Sequence, residues 1–254
     1  HSKPMEQIAK GHLHPITQAI REIGAIFAEL GFTIADGPEM EDGRHNFDAL
    51  NFPKDHPARD MQDTFWVKSR GKKELPSWNE EQNAKLLLRT HTSSVQVRYM
   101  EEKIKKGEKP PFRIIVPGKV FRNEATDATH EAQFYQVEGL VVDKEVSLAE
   151  LKGTLLRFFR AFFHDNKIDI RFRVSFFPFT EPSAEVDMRK GGKWMEMGGA
   201  GLVHPNVFTN VGLSPKKWRG FAFGVSIDRL LMLRHGIPDI RMFYNGDLRI
   251  VNQF

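Results

Sequence analysis

Cysteine is absent from the 254 residues, which excludes disulfides and thiolate metal sites within this sequence and leaves oxygen or imidazole ligands for any metal. Such a composition suits a reducing compartment, so a cytoplasmic location is expected. No run approaches the ~20 consecutive apolar residues that a membrane-spanning helix needs, and the stretch from His1 to Gln7 lacks the apolar core of a signal peptide. A soluble protein with no membrane partner is expected. Excess charge is scarce too. The 37 basic and 33 acidic residues leave a formal charge of +4, which tolerates a polyanionic partner without requiring one. There is no internal repeat or low-complexity tract. With 40% hydrophobic residues the chain can bury a substantial core, and one domain is expected. His1 and Ser2 read as the remnant of an engineered cut.

What is present begins with two helices. From Pro15 to Leu30 the apolar residues Ile16, Ile20, Ile23, Phe27 and Leu30 alternate steps of four and three, with Pro15 early and Gly31 just past the end. Ser147 followed by Glu150 forms a capping-box signature ahead of Leu148, Leu151, Leu155, Phe158, Phe159 and Phe162. Short strands are predicted over Phe32 to Glu39, Arg113 to Val116, Lys119 to Glu124 and Phe134 to Val142, with a hairpin from Glu185 to Met197 turning at Gly191-Gly192. The pattern implies an α+β fold, a mainly antiparallel sheet flanked by helices. His45 to Asp63 is polar, proline-bearing and too long for a simple turn, which points to a functional loop. Lys103 to Pro111 reads as an exposed connection within the domain.

The densest chemistry lies in Phe121-Arg122-Asn123-Glu124 and then His130, Phe134, Gln136 and Glu138. At period two, Arg122 and Glu124 share one strand face, and Phe134, Gln136 and Glu138 share a face of the next. A cation, an aromatic plane and several acceptors are thereby aimed at one cleft. Arg122 and Glu138 stand in apolar strand sequence, where burial with a charged ligand is expected. Phe177-Pro178-Phe179 is a stiff aromatic pair suited to a phenyl guest. No second histidine sits at helical ligand spacing beside His91, which argues against a metal there.

These segments resemble the class II aminoacyl-tRNA synthetases. The Arg122 run resembles motif 2, whose arginine binds the ATP α-phosphate, by two parallel hydrogen bonds from its planar guanidinium, and whose phenylalanine stacks on adenine. Gly220 to Leu230, Gly-Phe-Ala-Phe-Gly-Val-Ser-Ile-Asp-Arg-Leu, is similar to motif 3, placing Arg229 on the other adenine face. Gly31 to Pro38 is similar to motif 1, a subunit interface. Within that class, Arg89-Thr90-His91-Thr92-Ser93, the stretch Ser175 to Ser183, Gly199 to Asn206 and Asn245 to Arg249 resemble the alpha subunits of bacterial-type phenylalanyl-tRNA synthetases. Two positions depart from the family pattern, Phe176 where tyrosine is common and Gln62 where some relatives carry tryptophan.

The resemblance implies a class II synthetase catalytic domain over residues 13–254, with 1–12 a tag remnant or the end of a missing N-terminal helical arm. It implies a ligase of protein biosynthesis that forms phenylalanyl-adenylate from phenylalanine and ATP and transfers the amino acid to the terminal ribose of tRNA(Phe). Arg122, Glu124, His130, Phe134 and Arg229 are then the catalytic and ATP-binding residues. Gln136 and Glu138 would meet the substrate ammonium, with His91 and Ser93 near its polar end, Phe177 and Phe179 against its ring, and Ala222 and Gly224 at the pocket floor. Magnesium (Mg2+) is expected as the hard cation for ATP, with Glu196 as its ligand and Glu181 as a second magnesium ligand at the contact with a beta subunit. The implied assembly is an alpha2beta2 heterotetramer. Two alternatives stay open on sequence alone: a class II paralogue adenylating another acid without tRNA, and a noncatalytic subunit with no chemical need for Arg122, Glu124, Phe134 and Arg229.

Overall fold

The computed structural model describes residue 11 and residues 13–59, 63–67 and 86–254. Gln62, and residues 1–10 and 12 at the start, lie outside the described residues. The first helix, α1 (Pro15–Glu29), starts at His14, whose Nδ1 accepts the Ile16 N–H at 3.2 Å, with proline in the first turn where a missing N–H costs nothing. Ile16, Ala19, Ile23 and Phe27 form its buried stripe, each large side chain worth roughly 1.5–3 kcal/mol by burial. Helix α4 (Leu148–Phe163) inserts Leu151, Leu155, Phe158, Phe159 and Phe162 into the same core. Only half of its expected capping box forms. The Ser147 hydroxyl accepts the Glu150 N–H at 3.1 Å, but the Glu150 carboxylate is taken by Arg113 at 2.9 Å.

The remaining elements, in chain order, are β1 (Thr33–Ile34), β2 (Met40–Asp42), α2 (Gly43–Asn46), β3 (Leu86–Leu88), α3 (Ser93–Lys105), β4 (Phe112–Phe121), β5 (Gln133–Asp143), β6 (Asp169–Phe177), β7 (Thr180–Lys190), β8 (Lys193–Val203), α5 (Pro205–Asn210), β9 (Arg219–Ser226), α6 (Ile227–His235) and α7 (Leu248–Val251). Seven strands form one sheet in the order β1-β4-β5-β9-β8-β7-β6, antiparallel throughout except for the short β1, which pairs parallel to β4. β2 and β3 pair separately. The fold is therefore α+β, as the strand pattern implied.

Several boundaries differ from the sequence expectation. Phe32 to Glu39 yields only the two-residue β1, and the two strands expected before and after Pro117-Gly118 are one continuous β4. Proline is accommodated because Ile115 directs its carbonyl toward β1, where it accepts the Ala35 N–H, so Pro117 two residues on also faces away from β5 and its missing N–H costs no bond to that strand. Arg122 and Glu124 lie beyond the end of β4, so they do not share a strand face; pairing persists only through the Arg122 N–H to Ala132 O bond at 2.9 Å. The segment from His45 to Asp63 carries the end of α2 and two 3-10 turns, Asp48–Leu50 and Pro57–Arg59. Of the connection from Lys103 to Pro111, the first three residues still belong to α3.

The sheet alternation separates core from cleft. Phe221, Phe223 and Val225 of β9 enter the core shared with α1, α4 and α6, whereas Gly220, Ala222 and Gly224 face the other side. On that side a second core, with α3 and α5, closes one end. The small residues leave the middle of that face open.

Candidate active site

One hydrogen-bonded row crosses five strands of the open face. Glu138 on β5 pairs with Gly224 on β9, Gly224 with Gly199 on β8, Gly199 with Glu185 on β7, and Glu185 with Arg173 on β6. Laterally paired residues point to the same face, so charged side chains stand at both ends of a glycine floor. Both glycines lie in close approach, Gly199 more tightly than Gly224. A Cβ on Gly199 would lie 2.8 Å from two carbons of the Phe177 ring, and one on Gly224 3.2 Å from Glu138 Cγ.

Two cavities share this floor. The first, about 340 Å³, is lined by Phe177, Phe179, Ala222, His91, Ser93 and Glu138 among others. The second, about 940 Å³, is lined by His130, Phe134, Glu185, Glu196 and Arg229 among others. Arg122, Glu124, Gln136, Phe177, Gly199 and Gly224 line both, so the two spaces meet at the arginine.

The first cavity is aromatic with a polar end. Phe177 ends β6 and Phe179 precedes β7; their rings stack 5.8 Å apart at 12°. At the polar end, buried Glu138 accepts from the Thr92 N–H at 2.9 Å, from the Ser93 hydroxyl in a short bond, and from Gln96 Nε2 at 3.2 Å. Burial pushes its carboxyl pKa upward, against the lowering effect of the Ser93 and Thr92 bonds. His91 Nε2 donates to Asn46 O at 3.0 Å. Burial, reinforced by the Arg122 charge, pushes His91 down to about 3, so the ring is neutral and Nδ1 carries a lone pair. Nδ1 and Gln136 Oε1 are both buried without a partner among the described residues. Two unsatisfied acceptors beside a carboxylate form a site for a cationic donor such as an ammonium group.

The second cavity is organised around Arg122. Its Nε donates to Thr90 O at 3.2 Å, its guanidinium lies 5.1 Å from the Phe134 ring centre, and Glu124 is 3.8 Å away. Burial weighs against its charge, offset by Glu124, Glu138 and Asp63. His130 is exposed and held by Asp127 at 3.0 Å, within a turn that Asp127 also caps through the Thr129 and His130 N–H groups. Arg229 opens α6, where its N–H is capped by Ser226 Oγ at 3.2 Å, and its side chain has no carboxylate in ion-pair range among the described residues. Beside it, buried Asp228 accepts from the Tyr135 N–H at 2.7 Å and from the Tyr244 hydroxyl, tying α6 to β5 between Phe134 and Gln136. Burial pushes Asp228 up to about 6.

Glu196 and Glu185 converge on Arg173 Nη2, at 3.1 and 2.7 Å. Both line the larger cavity and are hard oxygen donors of the kind magnesium takes, so an ion there would have to displace Arg173 from them. Glu181 lies elsewhere, exposed on β7 and lining a separate cavity of about 100 Å³ with Trp218 and Arg219. Glu41, Asp42 and His45 also converge within 4.8 Å. Arg98 pairs with Glu41 and Asp42, and His45 with Asp42 and Glu101, so the group forms an ion-pair network.

The whole chain, residues 1–254, matches the family described as tRNA synthetases class II core domain (F). Proteins of Proteus mirabilis and Cronobacter sakazakii named phenylalanine–tRNA ligase alpha subunit are each 52% identical to it over 254 residues, covering all of this chain and 71% of theirs. The chain belongs to the phenylalanine–tRNA ligase alpha-subunit family. Its fold is also that of the crystal structure of pyrrolysyl-tRNA synthetase from Desulfitobacterium hafniense, with a TM-score of 0.70 at 15% identity, covering 94% of this chain and 76% of that one.

In this family member the two cavities bring together every expected site residue except Glu181. Sequence reasoning passed over others. Fully buried Asn46 donates to Thr90 Oγ1 at 3.0 Å and accepts the Thr90 N–H at 3.3 Å, while its carbonyl holds His91; it positions both Thr90, which binds Arg122, and His91. Glu185 and Arg173 were also missed. The signals were the alternation Ala184-Glu185-Val186-Asp187-Met188, which puts two acids on one face of a strand, and Ile170-Arg171-Phe172-Arg173-Val174, which does the same for two arginines.

Proposed function

We propose that this chain catalyses ATP-dependent activation of phenylalanine to phenylalanyl-adenylate and its transfer to tRNA(Phe), as the alpha subunit of a cytoplasmic alpha2beta2 phenylalanine–tRNA ligase whose catalytic domain spans residues 13–254. The observation that carries the reading is that Arg122 lines both cavities. An amino acid whose side chain fills the aromatic cavity brings its carboxylate to the same arginine that an α-phosphate in the larger cavity would reach.

In this reading the substrate ammonium donates to His91 Nδ1 and Gln136 Oε1 beside Glu138, with Ser93 holding that carboxylate. Its ring lies against Phe177 and Phe179, over a floor of Ala222 and Gly224. Phe134 and Arg229 take the two faces of adenine, His130 reaches the outer phosphates, and Glu124 stands near Arg122. Arg122 offers parallel donors to the α-phosphate and stabilises charge as the carboxylate oxygen attacks phosphorus and pyrophosphate leaves. No side-chain nucleophile is needed; alignment supplies much of the rate. Glu196 and Glu185 would hold magnesium, which neutralises phosphate charge when bound. Glu181, exposed and away from both cavities, suits a magnesium ligand at the beta-subunit contact.

ATP–pyrophosphate exchange with a panel of amino acids tests the reading. Phenylalanine-dependent exchange that rises on adding the beta subunit is expected. Exchange with another acid only, or none with any, overturns it.

A further inference from the structure

The aromatic cavity has a wall that lies outside every family motif recognised in the sequence. Phe52 lines it, with its ring 6.0 Å from the His91 ring at 7° and 5.7 Å from the Phe179 ring. One flank thus lies near the histidine that faces the polar end and another meets one of the two phenylalanines. Phe52 is half-buried and packs against the second core, with part of its ring lining the cavity.

Its placement is fixed by its neighbours. Asn51 adopts the left-handed conformation, φ 64 and ψ 23, that asparagine tolerates better than most residues. From there its Nδ2 donates to Pro178 O at 2.7 Å, between Phe177 and Phe179, and its Oδ1 accepts from Asn206 at 2.9 Å. Arg59 donates to Phe52 O at 2.7 Å, and the Phe52 N–H donates to Phe47 O at 3.1 Å. Main-chain and Asn51 bonds hold the segment, edge contacts with the His56 ring at 4.9 Å and the Phe47 ring at 5.4 Å seat the Phe52 ring, and its remaining surface shapes the cavity.

We propose that Phe52 is a specificity-determining residue that limits the size of the aromatic amino acid accepted, and that Asn51, by clamping to Pro178, is the positioning residue that keeps it there. The proposal rests on the amino-acid-binding reading above and names a wall of that site. Removing part of the ring opens space next to Phe179 without touching the Arg122 end.

The test uses the full-length chain assembled with the beta subunit and measures exchange with phenylalanine and with 3-(2-naphthyl)alanine. Phe52→Ala, and the milder Phe52→Leu should the first fail to fold, are expected to raise kcat/KM for naphthylalanine relative to phenylalanine by about tenfold, with the KM for ATP held within about twofold. Asn51→Gly suits the left-handed backbone while removing the clamp, and shifts the ratio in the same direction by less. An unchanged ratio in both Phe52 variants overturns the assignment of Phe52, and an unchanged ratio in Asn51→Gly overturns the clamp. A parent enzyme that fails to activate phenylalanine sinks the underlying reading first, and this inference falls with it.

Discussion

The guanidinium of Arg122 lies 5.1 Å from the centre of the Phe134 ring, joining the loop after β4 to β5. Cation and ring thus share one edge of the larger cavity, and the nearest carboxylate, Glu124, stands 3.8 Å off, beyond strong pairing. Arg122→Ala is therefore expected to leave the fold and Tm nearly unchanged while cutting the exchange rate by about 100- to 1,000-fold or more. Arg122→Lys should not rescue, because a point charge lacks the fork geometry. Exchange within a few-fold of the parent would remove Arg122 from the catalytic role.

Ala222 lines the aromatic cavity on β9, opposite Gly201 and Leu140 in the sheet. Ala222→Gly should admit para-chlorophenylalanine by removing a methyl from the floor. Tyrosine should be rejected only about 100-fold by the parent, since an apolar pocket discriminates weakly against one added hydroxyl. Activation of the three amino acids by both proteins is the measurement. If para-chlorophenylalanine stays as poor a substrate, Ala222 is not at the floor.

Gly199→Ala would set a methyl 2.8 Å from the Phe177 ring. Overpacking of this kind costs about 1–3 kcal/mol, and the ring must move into the cavity. The KM for phenylalanine should rise about tenfold, the scale of a small steric misfit in a pocket. An unchanged KM would show that Phe177 does not contact the substrate ring.

His45 faces Asp42 at 2.8 Å, Glu101 at 3.1 Å and Glu41 at 3.8 Å, with Arg44 and Arg98 nearby. Burial opposes its charge, but the Asp42 and Glu101 bonds outweigh it and raise the pKa to about 9. A raised folded pKa means the folded state holds the proton more tightly. The stabilisation is complete below the unfolded value near 6.5 and is lost as pH rises through about 9. His45→Gln should cost roughly 2 kcal/mol near pH 6 and much less at pH 10. Chemical denaturation of both proteins across that range checks it. A constant gap would mean His45 is not charged in the fold.

Ile34 is 60% exposed on the edge strand β1, a few residues before Gly37-Pro38. An apolar side chain on an unpaired edge is a place for a partner. Light scattering of the full-length chain, with and without the beta subunit, should show assembly into a heterotetramer and aminoacylation only in the mixture. An active monomer charging tRNA by itself would contradict this.

Much was legible in the sequence because it rests on local rules. The apolar spacing of Ile16 to Phe27, the serine cap at Ser147 and the Gly191-Gly192 hairpin depend on residues a few positions apart, and each formed as read. Strand alternation placed Phe134, Gln136 and Glu138 on one face, and the expected site residues other than Glu181 line the two cavities.

Only the tertiary structure decided the rest, since it depends on what distant strands bring alongside. The row from Glu138 through Gly224 and Gly199 to Glu185 and Arg173 jumps 86 positions of sequence at its first step, Glu138 to Gly224, and is set by the order β5-β9-β8-β7-β6. Asn46 acquires its role only because α2 packs where its side chain reaches Thr90 and its carbonyl His91. The Glu150 carboxylate left its cap for Arg113, a partner 37 positions away. Periodicity fixes which way a side chain points; what it meets there is fixed by long-range strand pairing and packing, which no local pattern encodes.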